Sequence, residues 1–257
     1  MGAPLLAITM AGFGRRFLER GYTIPKYRIE AGGRTLFEWS LRGLSEFADA
    51  GWRFCFILRR EDAARDFVAQ NAAALGLGDT SMLELDAPTD GQATTAQLAA
   101  ERADADQPFA IFNIDTALAP GALRPGQIQG DGWIPCVDAP GEGWSFVRLG
   151  PSGTAEEVRE KSRISNHASI GFYFFASARL YRDVYRSYYS DASRLERGEK
   201  YVAPLYNGLI GQGLSVHVQS ISLEQVAFLG TPDEVDAFAR DADGRFAAIS
   251  SASPDKR

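Results

Sequence analysis

The strongest constraint on the fold is a regular alternation of apolar and helical segments between residues 5 and 113. Short apolar runs predict buried strands, and the segments between them carry helical periodicity. The predicted strands cover 5–10, 53–58, 82–85 and 109–113, and the predicted helices cover 35–44, 61–75 and 94–102. Strands that are repeatedly followed by helices favour a parallel, doubly wound sheet with helices on both faces. We therefore expect an α/β fold.

The second half of the chain has a different rhythm. Residues 120–132 are rich in glycine and proline, and shorter strand patterns follow them. Strands are predicted there at 133–137, 145–149, 156–160, 169–175, 215–220 and 226–229, and helices at 178–189, 202–210 and 232–240. One further short strand is predicted in the first half, at 27–30. Since no long linker and no repeat divides the chain, we expect residues 1–246 to form one domain with a mixed sheet. The small, polar tail at 247–257 predicts disorder.

The first apolar strand runs into a turn that carries two glycines and two arginines, Gly12, Gly14, Arg15 and Arg16. Backbone N–H groups in such a turn are open to an anion, and guanidinium groups suit phosphate. The sequence indicates a polyphosphate site, the alternative being an ordinary glycine turn with incidental surface arginines. The Rossmann pattern is not met, because Phe17 occupies its third glycine position, and no P-loop triplet occurs.

The segment Ala11-Gly12-Phe13-Gly14-Arg15-Arg16-Phe17, followed by Pro25-Lys26, resembles the N-terminal signature of the sugar-phosphate nucleotidyltransferases. This resemblance implies a single Rossmann-like mixed sheet flanked by helices. It also implies Mg²⁺-dependent transfer of a nucleotidyl group from a nucleoside triphosphate to a phosphate monoester, with release of pyrophosphate. Arg16 and Lys26 would then act in catalysis, and residues 11–15 would bind the nucleotide.

Asp115 follows the strand predicted at 109–113. Ligands of open α/β sheets lie at the carboxyl ends of the strands, and Mg²⁺ favours one or two carboxylates plus phosphate oxygens. Asp115 is therefore our predicted metal ligand and a catalytic residue, and the family carries an Asp at this place. The alternative is an Asp that merely caps a loop.

Two further segments gain a role only through the resemblance. Gly91 and Gln92, at a helix start, look like the family's base-contacting loop; by themselves they would be an ordinary helix cap. Glu160 and Lys161 are similar to the family's acceptor-side pair for sugar hydroxyls and sugar phosphate; alone they would be an exposed charge pair. Two more residues are expected near the acceptor, Gly143 and Asn166.

One position departs from the family. Relatives carry a second metal-binding Asp two residues before a late Gly-Thr-Pro, and this chain has Phe228 there. Either Asp115 binds the metal alone or another acid contributes; Glu224 lies nearby in the sequence without an assigned place. His167 and His217 have no partner at metal-ligand spacing.

Composition limits the remaining possibilities. A net charge of −6 and a pI near 5.1 argue against nucleic acid as the main partner. No apolar stretch is long enough to span a membrane and no secretory signal is present, so the expected compartment is the cytoplasm. Cys55 and Cys136 lie in apolar runs and predict buried thiols. The resemblance leaves room for a homo-oligomer.

The expected function is therefore nucleotidyl transfer to a sugar-1-phosphate or a similar phosphate monoester, in capsule or surface-polysaccharide biosynthesis. The residues choose neither the base nor the acceptor. Two rivals remain: a glycosyltransferase that uses a nucleotide sugar, and a non-catalytic nucleotide-binding protein. The first usually carries Asp-x-Asp, whereas this chain has Asn113-Ile114-Asp115; Phe228 gives weight to the second.

Overall fold

The structure is a computed structural model and describes residues 2–245. Its strands are β1 (Leu5–Thr9), β2 (Glu30–Ala31), β3 (Arg34–Thr35), β4 (Arg53–Arg59), β5 (Thr80–Leu85), β6 (Phe109–Asn113), β7 (Thr116–Leu118), β8 (Gly132–Val137), β9 (Ser145–Leu149), β10 (Ala155–Glu160), β11 (Ala168–Ser169), β12 (Phe172–Phe175), β13 (Val216–Ser220) and β14 (Val226–Phe228). Its α-helices are α1 (Arg15–Glu19), α2 (Leu36–Arg42), α3 (Ser45–Asp49), α4 (Arg65–Ala74), α5 (Gln92–Ala100), α6 (Ala178–Tyr188), α7 (Tyr206–Gly211) and α8 (Pro232–Arg245).

Among the described residues, ten strands form one mixed sheet. Their order is β10-β9-β11-β8-β12-β6-β1-β4-β5, and β13 pairs with β8. Strands β6, β1, β4 and β5 are parallel, whereas β12 joins β6 in the antiparallel sense. The predicted α/β fold is confirmed. Since β1 and β6 are parallel neighbours, the segments that follow them emerge at the same edge of the sheet.

The sheet has a hydrophobic core on each face. Along β1, Leu6 and Ile8 belong to one core, whereas Leu5 and Ala7 belong to the other. This is the alternation that a strand buried on both faces requires. The continuous apolar run of β1 in the sequence therefore reflects burial on both sides.

A third buried cluster joins α1, α2 and α8. Phe17, Trp39 and Phe238 belong to it, and the rings of Trp39 and Phe238 meet edge to face at 5.0 Å. The Trp39 indole donates to the carbonyl of Ala31 at 2.7 Å. This cluster fixes the start of α8 beside α1, and therefore beside the carboxyl edge of β1.

The capping box predicted at the start of the second helical segment is confirmed. The Thr35 hydroxyl accepts from the backbone N–H of Glu38 at 3.2 Å, and the Glu38 carboxylate accepts from the backbone N–H of Thr35 at 2.9 Å. Two otherwise unpaired donors of the helix end are satisfied in this way.

Two N-terminal predictions need correction. The helix expected at 61–75 begins only at Arg65, because Ala63 adopts a left-handed conformation (φ 45°) after a 3₁₀ turn at Arg60–Asp62. The strand expected at 27–30 is instead a 3₁₀ turn, Lys26–Arg28, followed by β2.

The C-terminal half differs at three places. The strand expected at 169–175 is split into β11 and β12 by Gly171 (φ 82°), where a Cβ atom would lie 2.7 Å from the Asn113 side-chain nitrogen. The helix expected at 202–210 is a 3₁₀ turn, Ala203–Leu205, followed by α7. Strand β7 was not predicted; it pairs with β14, which places Phe228 opposite Thr116.

Two sequence predictions concern the limits of the chain and its relation to membranes. The tail predicted to be disordered, 247–257, lies outside the described residues, and the single domain at 1–246 stays a prediction. Within residues 2–245, no helix has both the length and the apolar composition needed to cross a bilayer.

Candidate active site

Two cavities meet at the carboxyl edge of the parallel strands. The first, of about 570 Å³, lies between the loop after β1 and the loop before α5. The second, of about 500 Å³, lies over the antiparallel part of the sheet. The two share three lining residues, Gln92, Asn113 and Asp115. They therefore form one cleft with room for two reactants side by side.

The glycine-arginine loop forms one wall of the first cavity. Gly14 adopts a left-handed conformation (φ 61°), which turns the chain from β1 into α1. Five consecutive residues of the loop line this cavity: Ala11, Gly12, Phe13, Gly14 and Arg15. Arg16, which was predicted to act with this loop, lines the second cavity instead. The two adjacent arginines thus face different parts of the cleft.

Lys26, in the wall of the first cavity, faces Asp115, which lines both cavities. The Lys26 ammonium lies 2.5 Å from the Asp115 carboxylate, and their side chains are 17% and 26% exposed. The backbone N–H of Leu229 donates to the Asp115 carbonyl at 2.8 Å, which fixes this position from the other side. The structure therefore brings together the cation and the carboxylate that the sequence proposed as catalytic.

Gln92 stands at the boundary between the two cavities. Its side-chain nitrogen donates to the Thr9 hydroxyl at 3.0 Å and also to the Asn113 side-chain oxygen. Because those donors are engaged within the protein, the Gln92 carbonyl oxygen is the part available to a ligand. This arrangement differs from a side chain that is free to offer both a donor and an acceptor to a base.

Gly91 lines the first cavity, and its conformation has a packing cause. Its φ is 145°, and a Cβ atom there would collide with the backbone of Lys200. The Lys200 N–H donates to the Asp90 carbonyl at 2.9 Å, and the Ala93 N–H donates to the Lys200 carbonyl at 3.0 Å. This segment brings Gly198 and Glu199 into the wall of the first cavity. No signal in the sequence indicated that contribution.

The second cavity contains a buried carboxylate. The Glu160 side chain is 8% exposed and accepts a hydrogen bond from the Ser145 hydroxyl. Burial raises the pKa of Glu160, while Ser145 and then Lys161 oppose that shift. The Lys161 ammonium is 3.8 Å from Glu160 and donates to the Tyr201 hydroxyl at 2.5 Å. Glu160 and Lys161 therefore belong to a hydrogen-bonded polar pocket and are not an exposed charge pair.

The two other residues expected near the acceptor have different places. Gly143 lines the second cavity. Asn166 is not among the residues lining either cavity, because its side chain is used in a loop contact. Its oxygen accepts from Arg163 at 2.9 Å, and its nitrogen donates to Asp138 at 3.3 Å. The structure therefore places Asn166 in support of the loop beside the cavity.

Phe228 forms an aromatic wall with Trp144. Their ring centroids are 4.0 Å apart, and both residues line the second cavity. The Trp144 indole donates to the Pro140 carbonyl at 2.9 Å. An apolar surface thus occupies the place where the family's second acidic residue is expected. Glu224, the acid nearby in the sequence, lies in the 3₁₀ turn Leu223–Gln225 and lines neither cavity.

Glu234 is an acidic residue of the site that the sequence did not indicate. It lies in the first turn of α8 and lines the second cavity. A Cβ atom added to Gly230 would lie 3.6 Å from an oxygen of Glu234 and 3.6 Å from an oxygen of Asp115. The two carboxylates therefore border the same small space, which exists because residue 230 is glycine.

The histidines and cysteines lie outside the cleft. His167 and His217 are not among the lining residues, and His217 is in β13 beside Trp133. Cys55 and Cys136 are buried free thiols, as predicted, and burial raises the pKa of both. Within the described part of the chain, no three His, Cys, Asp or Glu side chains group closely enough to hold a metal ion.

Comparison with solved structures decides the family. A nucleoside-diphosphate-sugar pyrophosphorylase from Vibrio cholerae is 38% identical to this chain, over 91% of this chain and 99% of its own, with a TM-score of 0.84. The chain belongs to the sugar-phosphate nucleotidyltransferases. The resemblance found in the sequence is thereby confirmed, and the relatives indicate nucleotidyltransferase activity.

More distant structures share the fold of this nucleotidyltransferase. The inositol-1-phosphate CTP transferase from T. maritima is 14% identical, covers 98% of both chains and has a TM-score of 0.76. A candidate glucose-1-phosphate thymidylyltransferase from Bacillus anthracis is 16% identical over 93% of this chain and 96% of its own, with a TM-score of 0.74. No protein-family model and no curated protein matches the chain.

Proposed function

We propose that the first cavity binds a nucleoside triphosphate and that the second binds a sugar-1-phosphate or a similar phosphate monoester. An oxygen of the monoester would attack the α-phosphorus of the triphosphate. A new phosphorus–oxygen bond forms, the bond between the α-phosphorus and its bridging oxygen breaks, and pyrophosphate leaves with the electron pair. The observation that carries this proposal is that the two cavities meet at Asp115, which lines both and pairs with Lys26 of the first.

Such a transfer needs alignment and charge neutralisation more than covalent help. The loop amides and Arg15 would bind the β- and γ-phosphates in the first cavity. Lys26 would stabilise the charge that develops at the α-phosphorus, and Arg16 would act from the acceptor side. Glu160 would accept hydrogen bonds from acceptor hydroxyls, and Lys161 would bind the acceptor phosphate.

The family implies a divalent metal ion, and the residues at the junction fit Mg²⁺. The ion favours one or two carboxylates together with phosphate oxygens. Asp115 and Glu234, which border the space beside Gly230, would hold it in place of the Asp that is absent at position 228. When bound, Mg²⁺ supplies neutralisation of phosphate charge. Asp115 pairs with the Lys26 ammonium, so Lys26 would lie close enough to bind the triphosphate beside the residues that hold the ion.

The decisive experiment measures pyrophosphate release with Mg²⁺, crossing the common nucleoside triphosphates with sugar-1-phosphates and other phosphate monoesters. We expect release that depends on both substrates, with one preferred pair. Hydrolysis or transfer from a preformed nucleotide sugar without pyrophosphate would favour a glycosyltransferase instead. Tight nucleotide binding with no pyrophosphate from any pair would favour a non-catalytic binding protein.

The cellular role is a separate proposal with a separate test. We propose capsule or surface-polysaccharide biosynthesis in the cytoplasm, because a nucleotidyl-activated sugar phosphate is a donor for such polymers. A deletion strain that keeps its surface polysaccharide would contradict this role without affecting the proposed reaction. Assembly into a homo-oligomer stays a prediction.

A further inference from the structure

A buried carboxylate behind the first cavity has no part in the chemistry proposed so far. Asp62 ends the 3₁₀ turn that follows β4, and its side chain is 5% exposed. It is not among the residues that line either cavity. Burying a carboxylate is costly unless donors compensate it. The two donors that do so connect it to two adjoining parts of the first cavity's wall, the glycine-arginine loop and the turn that carries Lys26.

The first donor is Arg59, at the end of β4. Its guanidinium forms a forked contact with Asp62, at 2.6 Å and 3.4 Å, and also contacts Glu61 at 2.6 Å. The same guanidinium lies 5.0 Å from the ring centroid of Phe13, within the range of a cation–π contact. Phe13 is 40% exposed and lies in the glycine-arginine loop. Because Asp62 holds the Arg59 guanidinium in place, it also supports the position of Phe13 and of the loop that carries it.

The second donor is Tyr27. Its hydroxyl donates to Asp62 Oδ2 at 3.0 Å, the oxygen that also accepts the longer of the two Arg59 contacts, and its ring is buried. Burial, and then the Asp62 charge, raise the pKa of Tyr27, so the hydroxyl keeps the proton that it donates. Tyr27 follows Lys26 directly within the same 3₁₀ turn. Asp62 therefore also fixes the turn that carries the Lys26 ammonium.

We propose that Asp62 is a positioning residue that sets the distance between the glycine-arginine loop and Lys26. One carboxylate reaches the loop through Arg59 and Phe13, and reaches Lys26 through Tyr27. This inference rests on the proposed function, in that the first cavity takes a triphosphate. The acceptor cavity shares no residue with this network, so acceptor binding is independent of Asp62.

The test is calorimetric binding of inorganic tripolyphosphate with Mg²⁺, a probe that needs neither the correct base nor the acceptor. D62N keeps the size of the side chain but removes its charge. Mutating residues that support metal ligands from behind lowers affinity about tenfold to 100-fold. We expect D62N to weaken the affinity for tripolyphosphate by a similar factor. D66N, on exposed Asp66 in the first turn of α4, is the matched control and should bind within about twofold of wild type.

A double-mutant cycle separates positioning from general stability. R59K and Y27F should each weaken tripolyphosphate binding, and neither should weaken it further in the D62N background. The acceptor KM of each variant should stay at the wild-type value. Wild-type binding by folded D62N, or losses that add fully in the double variants, would overturn the proposal. If D62N does not fold, R59K, Y27F and their combination carry the same test.

The outcome also separates this inference from the proposed function. If wild type releases no pyrophosphate from any pair but tripolyphosphate binding still depends on Asp62, the reaction is wrong and the positioning role stands. If wild type is active and D62N matches it in binding and in NTP KM, the positioning role is wrong and the reaction stands.

Discussion

The two halves of the cleft are built in different ways. The first cavity, proposed to bind the triphosphate and called here the triphosphate half, comes from loops at the ends of parallel strands, and most of its lining lies between residues 9 and 115. The second cavity, proposed to bind the acceptor and called here the acceptor half, comes largely from antiparallel strands and from residues 228–234, which are distant in the sequence. The first half offers backbone amides and cations to an anion. The second contains a buried carboxylate, Glu160, and an aromatic wall.

The two halves would recognise different kinds of ligand: one the phosphate chain that all nucleoside triphosphates share, the other an acceptor that varies. Every nucleoside triphosphate carries the same phosphate chain, so a glycine-rich loop and fixed cations serve any base. Acceptors differ in hydroxyls and in apolar surface, and the wall of Trp144 and Phe228 lines the cavity that we propose for the acceptor. Substitutions in one half should therefore leave the binding constant of the other substrate unchanged.

The largest expected effect comes from Lys26. K26A should lower kcat about 10²- to 10³-fold, as loss of a single preorganised donor does in other enzymes. Because Lys26 is paired with Asp115, its removal exposes that carboxylate and should not weaken Mg²⁺ binding. Initial rates of pyrophosphate release and Mg²⁺ titration by calorimetry measure the two effects. Near-normal turnover by folded K26A protein would contradict a catalytic role for Lys26.

Glu160 should affect the other half alone. E160Q keeps the shape but removes the charge that acceptor hydroxyls would meet, and such hydrogen bonds contribute about 1.5–3 kcal/mol. We expect the acceptor KM to rise about tenfold to 100-fold, with the NTP KM within about twofold of wild type. The matched control is E156Q, on an exposed Glu156 in the same strand that pairs with Arg148. A rise in both KM values would break the comparison between the halves.

The buried carboxylate also predicts a pH dependence of stability. Because burial raises the pKa of Glu160, the folded state binds this proton more tightly than the unfolded state. The stability of wild type relative to E160Q should be greatest below the unfolded pKa, about 4.3 for Glu, and should fall as pH rises through the raised folded pKa. Urea unfolding of both proteins across this range tests the sign. A difference that grows with pH would contradict it.

The aromatic wall should give the smallest effect. F228L removes the ring contact with Trp144, and aromatic pairs contribute about 0.5–1.5 kcal/mol beyond their burial. For a domain of this size we expect Tm to fall by about 2–4 °C. The acceptor KM should rise modestly and the NTP KM should not change. An unchanged Tm with an altered NTP KM would place Phe228 in the wrong half.

The triphosphate half could largely be predicted from the sequence, because many of its residues come directly after strands that are themselves recognisable from the sequence. The apolar run before Gly12 and the strand before Asp115 are local patterns, and parallel pairing of β1 with β6 brings their ends together. The Pro25-Lys26 element was indicated by the resemblance, and Lys26 lies 2.5 Å from Asp115. The sequence did not show that Arg16 lines the second cavity while its neighbour Arg15 lines the first.

Outside that half, the resemblance pointed to Gly143, Glu160 and Lys161, which line the second cavity, but other residues depend on long-range packing and gave no sequence signal. Glu234 borders the same space as Asp115 because α8 packs in one cluster with α1 and α2, and Glu199 lines the first cavity because the Lys200 backbone lies against Gly91. Asp62 lay within a predicted helix, and the left-handed Ala63 that ends its turn gave no signal. Asn166 was expected near the acceptor by analogy but supports a neighbouring loop.

The most direct measurement of the central claim is ³¹P NMR of the preferred substrate pair with wild-type enzyme and Mg²⁺. If both substrates react at the junction of the two cavities, one pyrophosphate should appear for each new diphosphate-linked nucleotide product, and K26A should form both far more slowly. Formation of nucleoside diphosphate and inorganic phosphate, or loss of triphosphate without a diphosphate-linked product, would contradict transfer at the α-phosphorus.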